Sequence, residues 1–219
     1  VELTATASNA SACEATVAEA TTLVAARDEV LEASATDDVE ASATTWTATG
    51  GDLAGVAWAR TQLTPGEHAW VGADLGTISD TQLESPDLEV SATEPFTISF
   101  THRFEFEASP SGGGGGDTYW DGAVIELSTD GGASWQDLST WVEPGYGGTI
   151  TEESGNPLGG AAAFVATNPS WPGTDEVTYD LGTALAGQTV RVRFRIGTDA
   201  AVGATGWQLD DLSFGGIDN

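Results

Sequence analysis

Two short acidic stretches hold the side chains best suited to chemistry. Asp37-Asp38-Val39-Glu40 precedes the patterned part of the chain, and Asp210-Asp211 lies in its last alternating run. Carboxylates are hard oxygen ligands, and Ca²⁺ gathers about six to eight such oxygens from side chains and backbone carbonyls. Asp38, Glu40, Asp210 and Asp211 are therefore candidate metal ligands. Asp80, in Ser79-Asp80-Thr81-Gln82-Leu83-Glu84, is a further one. If the first and last strands of a β-sandwich lie side by side, the two acidic stretches converge. The competing reading leaves these acids exposed, or uses Asp211 to cap a turn.

A second set is aromatic. Trp120, Trp141, Tyr146 and Trp171 stand in or beside Gly- and Pro-rich segments. Rings at the end of a sandwich can stack on a glycan or grip a protein ligand, and they can equally seal loops onto the core. Signals for an enzyme are sparse. His68 and His102 sit in strand-like runs, with no His-Glu-x-x-His and no second histidine at zinc-ligand spacing. There is no Gly-x-Ser-x-Gly elbow. The 34 acids leave a carboxylate pair for glycoside hydrolysis open, and no pattern selects one.

Residues 128–135 read S-T-D-G-G-A-S-W, the Ser-x-Asp-x-Gly-x-x-Trp pattern of sialidase hairpins. A propeller needs that hairpin blade after blade, and here it occurs once with no blade-length repeat. The mechanical reading is a turn. Asp130 accepts from turn amides, Gly131 and Gly132 supply positive φ, and Trp135 folds back on the sheet.

The charge narrows the partners. Acids number 34 against six basic residues, all Arg, for a net charge of -28. A phosphate backbone would be repelled, so nucleic acid is excluded as a partner. Dense carboxylates suit a hydrated surface in a salty medium, and a few can still be ligands. The lone Cys13 has no partner for an internal disulfide; it reads first as a small buried or tethered residue, with pairing to a segment outside this chain as the alternative. No stretch reads as a membrane span or a signal peptide, and the two ends read as cut from a longer chain with further domains.

Element by element, β signals dominate. Gly and Thr are abundant, Met is absent, and short alternating runs lie between Gly, Pro, Asp and Ser clusters. Strands are predicted over Val39–Thr47, Trp58–Thr61, His68–Val71, Leu88–Ser91, Phe96–Phe106, Gly122–Ser128, Val177–Asp180, Thr189–Thr198 and Gly206–Phe214. Long loops are predicted over Ser109–Tyr119 and Trp141–Pro172. Val190, Val192, Phe194 and Ile196 share one face of their run, and Arg191, Arg193 and Arg195 share the other. In so acidic a chain the Arg row predicts a facing carboxylate row. Residues 1–36 lack aromatics and read as an N-terminal extension or the tail of a preceding domain. Strands are favoured there, although the spacing of Val17, Val24 and Leu31 would suit a helix.

Several of these runs carry a resemblance. Asp38-Val39-Glu40, Trp46, Trp58-Ala59-Arg60 and Leu83-Glu84-Ser85-Pro86 resemble the opening of MAM-type jelly-roll domains. Tyr119 to Trp135, Val190–Phe194, Gly197-Thr198-Asp199 and Gly206 to Leu212 are similar to MAM-like accessory domains of secreted bacterial metallopeptidases (immune inhibitor A and fungalysin-like) and of bacterial surface proteins. The resemblance spans about residues 37 to 216 and lacks the disulfide cysteines of animal MAM domains. It implies an all-β antiparallel β-sandwich of jelly-roll type over 37–219. It also implies a secreted or cell-surface setting, and a cation site with Glu40 and Asp210 foremost. The expected function is a non-catalytic binding or accessory module, Ca²⁺-stabilised, for adhesion or for glycan or substrate targeting. A fragment of a secreted metallopeptidase or other hydrolase, and a structural subunit of a surface assembly, are the alternatives.

Overall fold

The computed structural model describes residues 35–50, 58–110 and 116–218. Cys13 and all but the last two residues of the 1–36 extension lie outside the described residues, as do four of the five consecutive glycines. The strands, in chain order, are β1 (Thr36–Asp37), β2 (Thr47–Gly50), β3 (Ala59–Thr64), β4 (Glu67–Gly72), β5 (Ser79–Glu84), β6 (Leu88–Glu89), β7 (Thr97–Glu105) and β8 (Ala108–Ser109). They continue as β9 (Thr118–Tyr119), β10 (Gly122–Ser128), β11 (Gln136–Asp137), β12 (Gly148–Thr149), β13 (Ala162–Ala163), β14 (Asp175–Asp180), β15 (Thr189–Thr198) and β16 (Gly206–Gly215). Short 3-10 turns at Leu138–Thr140 and Glu152–Ser154 are the helical elements among the described residues. No helix there is long and apolar enough to cross a membrane.

Two antiparallel sheets result. One runs β14-β7-β16-β4-β3, with β1 also on β16; the other runs β11-β10-β15-β5-β2, with β6 also on β15. This is the predicted all-β sandwich. The first and last described strands do lie side by side, with Thr36 opposite Ser213 and Asp37 opposite Leu212. Alternation builds the core. Ile98, Phe100 and Phe104 of β7 face Ile125, Leu127, Val192 and Phe194 across the gap in one buried cluster, and the buried His102 ring packs against Phe100 and Phe104. At its centre the fully buried Trp207 ring lies 5.4 Å from Phe194, 5.4 Å from Phe164 and 5.8 Å from Trp58. Rings at such spacings add attraction beyond area burial.

Three expectations need correction. Residues 39–46 form no strand, because side chains take the backbone groups a ladder requires. Asp37 Oδ1 accepts from the Val39 amide and Asp38 Oδ1 from the Glu40 amide. The Arg60 guanidinium donates to the Val39 and Glu40 carbonyls, and Val39 stands at φ 58. Conversely, β5 is a strand the sequence pattern hides. Its inward residues are Ser79, Thr81 and Leu83, so two of three core positions carry hydroxyls. Ser79 Oγ finds Thr198 Oγ1 at 2.6 Å. Lastly, the long loop over 141–172 contains the β12–β13 hairpin. It lays Ile150, Leu158, Ala163 and Val165 over Val124 on the outer face of β10, forming a second small core.

The Arg row meets its carboxylates as predicted. Arg191 pairs with Asp87, Arg193 with Glu126 at 2.6 Å, and Arg195 with Asp80 at 2.7 Å and Glu126 at 3.4 Å. Trp135 covers Arg193, whose guanidinium carbon is 4.3 Å from the ring centroid. The 128–135 turn is also as read. Asp130 accepts from the Ser134 amide at 2.8 Å, the Ser134 hydroxyl at 2.6 Å and the Ser128 hydroxyl at 2.7 Å. Those donors hold its carboxyl down at about 2. Gly131 and Gly132 have φ 72 and 91.

His102 is the one buried histidine of the core. Its Nδ1 accepts from Trp207 Nε1 at 3.4 Å, and burial holds the imidazole down at about 4, opposed by Asp175. In the unfolded chain a histidine titrates near ~6.5. The unfolded state therefore binds more protons between those values, and stability falls as pH drops through that window. His102→Phe is expected to remove this component, so the Tm loss between pH 7 and pH 4.5, read by calorimetry, shrinks. An unchanged loss would show that His102 contributes nothing to it.

Candidate functional site

Strand ends bring four carboxylates together at one end of the sandwich. Asp74 follows β4 and Glu107 follows β7, both from one sheet; Asp121 precedes β10 and Asp199 follows β15, both from the other. Asp121 is 0 % exposed, Asp74 5 % and Asp199 6 %. A ligand oxygen from each of Glu107, Asp121 and Asp199 lies within 4.8 Å of the other two.

Each carboxylate is aimed by a backbone amide. Glu107 N donates to Asp74 Oδ2 at 2.9 Å, Asp199 N to Asp121 Oδ1 at 2.6 Å, and Ala201 N to Asp199 Oδ1 at 2.7 Å. The Val202 amide donates to Glu107. Asn156 braces the group from behind. Its Nδ2 donates to Gly197 O at 2.7 Å, Trp120 O at 2.9 Å and Asp121 Oδ1 at 3.2 Å. A Cβ on Gly197 would stand 2.3 Å from Asn156 Oδ1, so only glycine leaves room for that amide. Asp74 Oδ1, Glu107 Oε2 and Asp121 Oδ2 are buried with no hydrogen-bond donor on them while the carboxyls are ionised, and the Ala204 amide also faces Asp74. Asp74 and Asp121 approach each other directly. Burial first, and the neighbouring acids second, push Asp121 up to about 9 and raise Asp74 and Glu107.

The acids singled out by sequence are divided among other tasks. Glu40 receives the His68 amide on Oε1 at 2.6 Å and His68 Nδ1 on Oε2 at 2.8 Å, so both of its oxygens are engaged. Asp38 holds the Glu40 amide. Asp80 lies in β5 and is gripped by Arg195 and by Gln82 Nε2 at 2.6 Å. Asp210 and Asp211 lie at the bulge of β16, where Asp211 has φ 50 and donates its amide to Asp210 Oδ1 at 2.8 Å. Glu40 and Glu67 act on Asp210 through space, so the two acidic stretches do approach. Asp74, Glu107, Asp121 and Asp199 make no local pattern in the sequence, because they are single acids in separate segments of the chain. Their shared signal is position, each standing just beyond a strand at one end of the sandwich.

Of the four aromatics, Tyr146 is the most integrated. Its hydroxyl donates to Asp137 Oδ2 at 2.9 Å and accepts from the Ile125 amide at 3.1 Å, and its ring meets Phe164 at 4.9 Å. Trp141 packs against the core. Trp120 Nε1 donates to Ser109 Oγ at 2.9 Å, and Trp171 faces Arg103 at 5.6 Å. Between the 144–145 and 169–176 segments opens a depression of about 320 Å³. Phe104, Phe164 and Tyr179 line it with His102, between Pro144 and Pro169. Asp175 at its rim is pinned by Ser170 and Asn168, which hold its carboxyl below the usual range.

No family model matches the chain, and no curated protein does. Several solved structures are similar in outline. A carbohydrate-binding module in complex with β-1,4-galactotriose is 11 % identical, with TM-score 0.41, over 77 % of this chain and 86 % of that one. The K1 cleaved adhesin domain of Lys-gingipain from Porphyromonas gingivalis is 12 % identical, with TM-score 0.43, over 82 % and 95 %. The glycoside hydrolase domain of Endo-D from Streptococcus pneumoniae is 16 % identical, with TM-score 0.39, over 77 % and 21 %. At these values neither residues nor activities carry across.

Asp210 provides a test of the bulge. Burial, with Asp211, Glu40 and Glu67 nearby, pushes its carboxyl up to about 6. A raised carboxyl disfavours the ionised fold, so stability is lost as pH rises from about 4 to 6 and stays lost above that. Discounted for its partial exposure, Asp210→Asn is expected to raise Tm at pH 7.5 by roughly 2–4 °C and to change it little at pH 4. Equal shifts at both pH values would contradict the titration.

Proposed function

We propose that the chain is a non-catalytic binding module of a larger secreted or surface protein, with a neutral glycan as its ligand. The depression between the 144–145 and 169–176 segments carries this reading. It offers ring edges and proline walls for the apolar face of a sugar, with a carboxylate at the rim for hydroxyls. A net charge of -28 opposes uronic or sulfated chains, which favours uncharged ones.

The acids argue for binding rather than hydrolysis. Glycoside cleavage needs two carboxyl groups flanking an open bond, with one kept protonated. At the depression Ser170 and Asn168 hold the Asp175 carboxyl below the usual range, and Glu176, which also borders the depression, alternates to the exposed face of β14, so the two do not flank one bond. The carboxylates that do converge, Glu107, Asp121 and Asp199, are not among the residues lining the depression, and Asp121 and Asp199 are buried.

A neutral-oligosaccharide array probed with the 219-residue chain tests this reading. Binding to at least one neutral glycan is expected. Asp175→Ala, which removes the rim carboxylate, is expected to weaken it about tenfold, the size of one lost hydrogen bond to a charged group. A chain that binds no neutral glycan, or whose binding ignores both Asp175→Ala and Pro169→Trp, sinks the proposal.

A further inference from the structure

We propose that Asp74, Glu107, Asp121 and Asp199 form a Ca²⁺ site that joins the two sheets at one end of the sandwich. The site lies apart from the Glu40 and Asp210 position, where His68 engages both Glu40 oxygens.

Four observations converge on a cation. Asp121 is fully buried, and its Oδ2 accepts no hydrogen bond; Asp74 Oδ1 and Glu107 Oε2 share that condition. A buried polar atom without a partner is costly, and a buried anion more so. Secondly, the oxygens of Glu107, Asp121 and Asp199 fall within 4.8 Å of one another, the spacing of ligands around a single ion. Thirdly, among the described residues no Arg or His is hydrogen-bonded to any of the four. Fourthly, backbone amides fix Asp74 and Asp121 on their other oxygens, and Glu107 and Asp199 each accept a backbone amide as well. Such outer contacts are how ligands are held ready for a metal.

The donor set is all oxygen, which selects a hard cation. Mg²⁺ keeps several of its waters and takes one or two carboxylates, whereas Ca²⁺ accepts a flexible shell rich in them. Because Asp74 and Glu107 belong to one sheet and Asp121 and Asp199 to the other, a bound ion would bridge the sandwich. The alternative is a proton shared between Asp74 and Asp121, which relieves one charge and leaves Glu107 and Asp199 without a counter-charge.

The test uses the full chain, freed of metal by chelator and kept in about 1 M NaCl. There the Debye length is ~3 Å, so surface carboxylates respond little to added cations. Calorimetric titration is expected to show one saturable Ca²⁺ event, with Mg²⁺ at least tenfold weaker. At free Ca²⁺ about 100-fold above Kd, linkage raises Tm by roughly 5–10 °C. Asp121→Asn keeps an acceptor for the Asp199 amide and removes the charge, so the Ca²⁺ response should fall at least tenfold. Glu40→Gln should keep it. If Asp121→Asn does not fold, Glu107→Gln on the half-buried side replaces it. A wild-type chain indifferent to Ca²⁺, with Asp121→Asn no less stable, would establish the shared proton instead. A response lost in Glu40→Gln and kept in Asp121→Asn would place the ion elsewhere and overturn the assignment.

Discussion

Trp207 sets the relation between the two sheets. It lies in β16, the strand joined to β1, β4 and β7, and its ring reaches across to Phe194 of β15. Phe164 and Trp58 close on the same ring from outside the sheets' central strands. Each fully buried aromatic or aliphatic side chain contributes about 1.5–3 kcal/mol, so a cluster of this size dominates the favourable side of folding. The strand ends take their places from it. Gly72, whose neighbour Trp58 would clash with any Cβ, faces Trp207 in register, and Asp74 follows two residues later. Phe104 also faces Trp207, and Glu107 follows it along the chain. The acidic end is therefore positioned by an apolar contact one turn of the pleat away.

Much of this was legible in the sequence. Strands with strict alternation, such as β7 and β15 over Val190–Ile196, lie close to where the pattern placed them, because one face is wholly buried and a one-residue slip would expose it. The Arg row and the 128–135 turn were legible for the same reason: their residue types leave one economical geometry. What stayed hidden was long-range. β5 carries Ser79 and Thr81 inward, and its hydroxyls are satisfied only by a partner on β15 that no local window contains. The acidic end is assembled from four separate loops, and the pairing of sheets, not spacing, brings them together. Asp38-Val39-Glu40 gave a misleading signal, since its alternation is real but Asx turns and Arg60 hold its backbone out of any ladder.

The acids of this chain thus follow three different physical rules. On the outer face of the β10-β15-β5 sheet they neutralise arginines, and the half-buried Arg193–Glu126 pair is shielded from salt more than an exposed pair would be. At turns they stand in for backbone acceptors, as Asp130, Asp137 and Asp180 do. At the strand ends that hold Asp74, Glu107, Asp121 and Asp199 they meet backbone amides, Asn156 and one another, with no Arg or His hydrogen-bonded to them among the described residues. Net charge describes the solvent-facing majority and says nothing about this third group, whose energetics are set by low local dielectric.

Asn156 has a bearing on how long the closed end keeps its chemistry. Its side-chain amide touches Trp120, Asp121 and Gly197, and conversion to aspartate would place another negative charge directly against Asp121. Asparagine ages to aspartate when the following backbone nitrogen attacks the side-chain amide. Here the next residue is Pro157, which has no N–H to lose. The turn that seats Asn156 therefore also guards it against spontaneous chemical decay, so this end of the protein is built to outlast the ordinary ageing of its own amide.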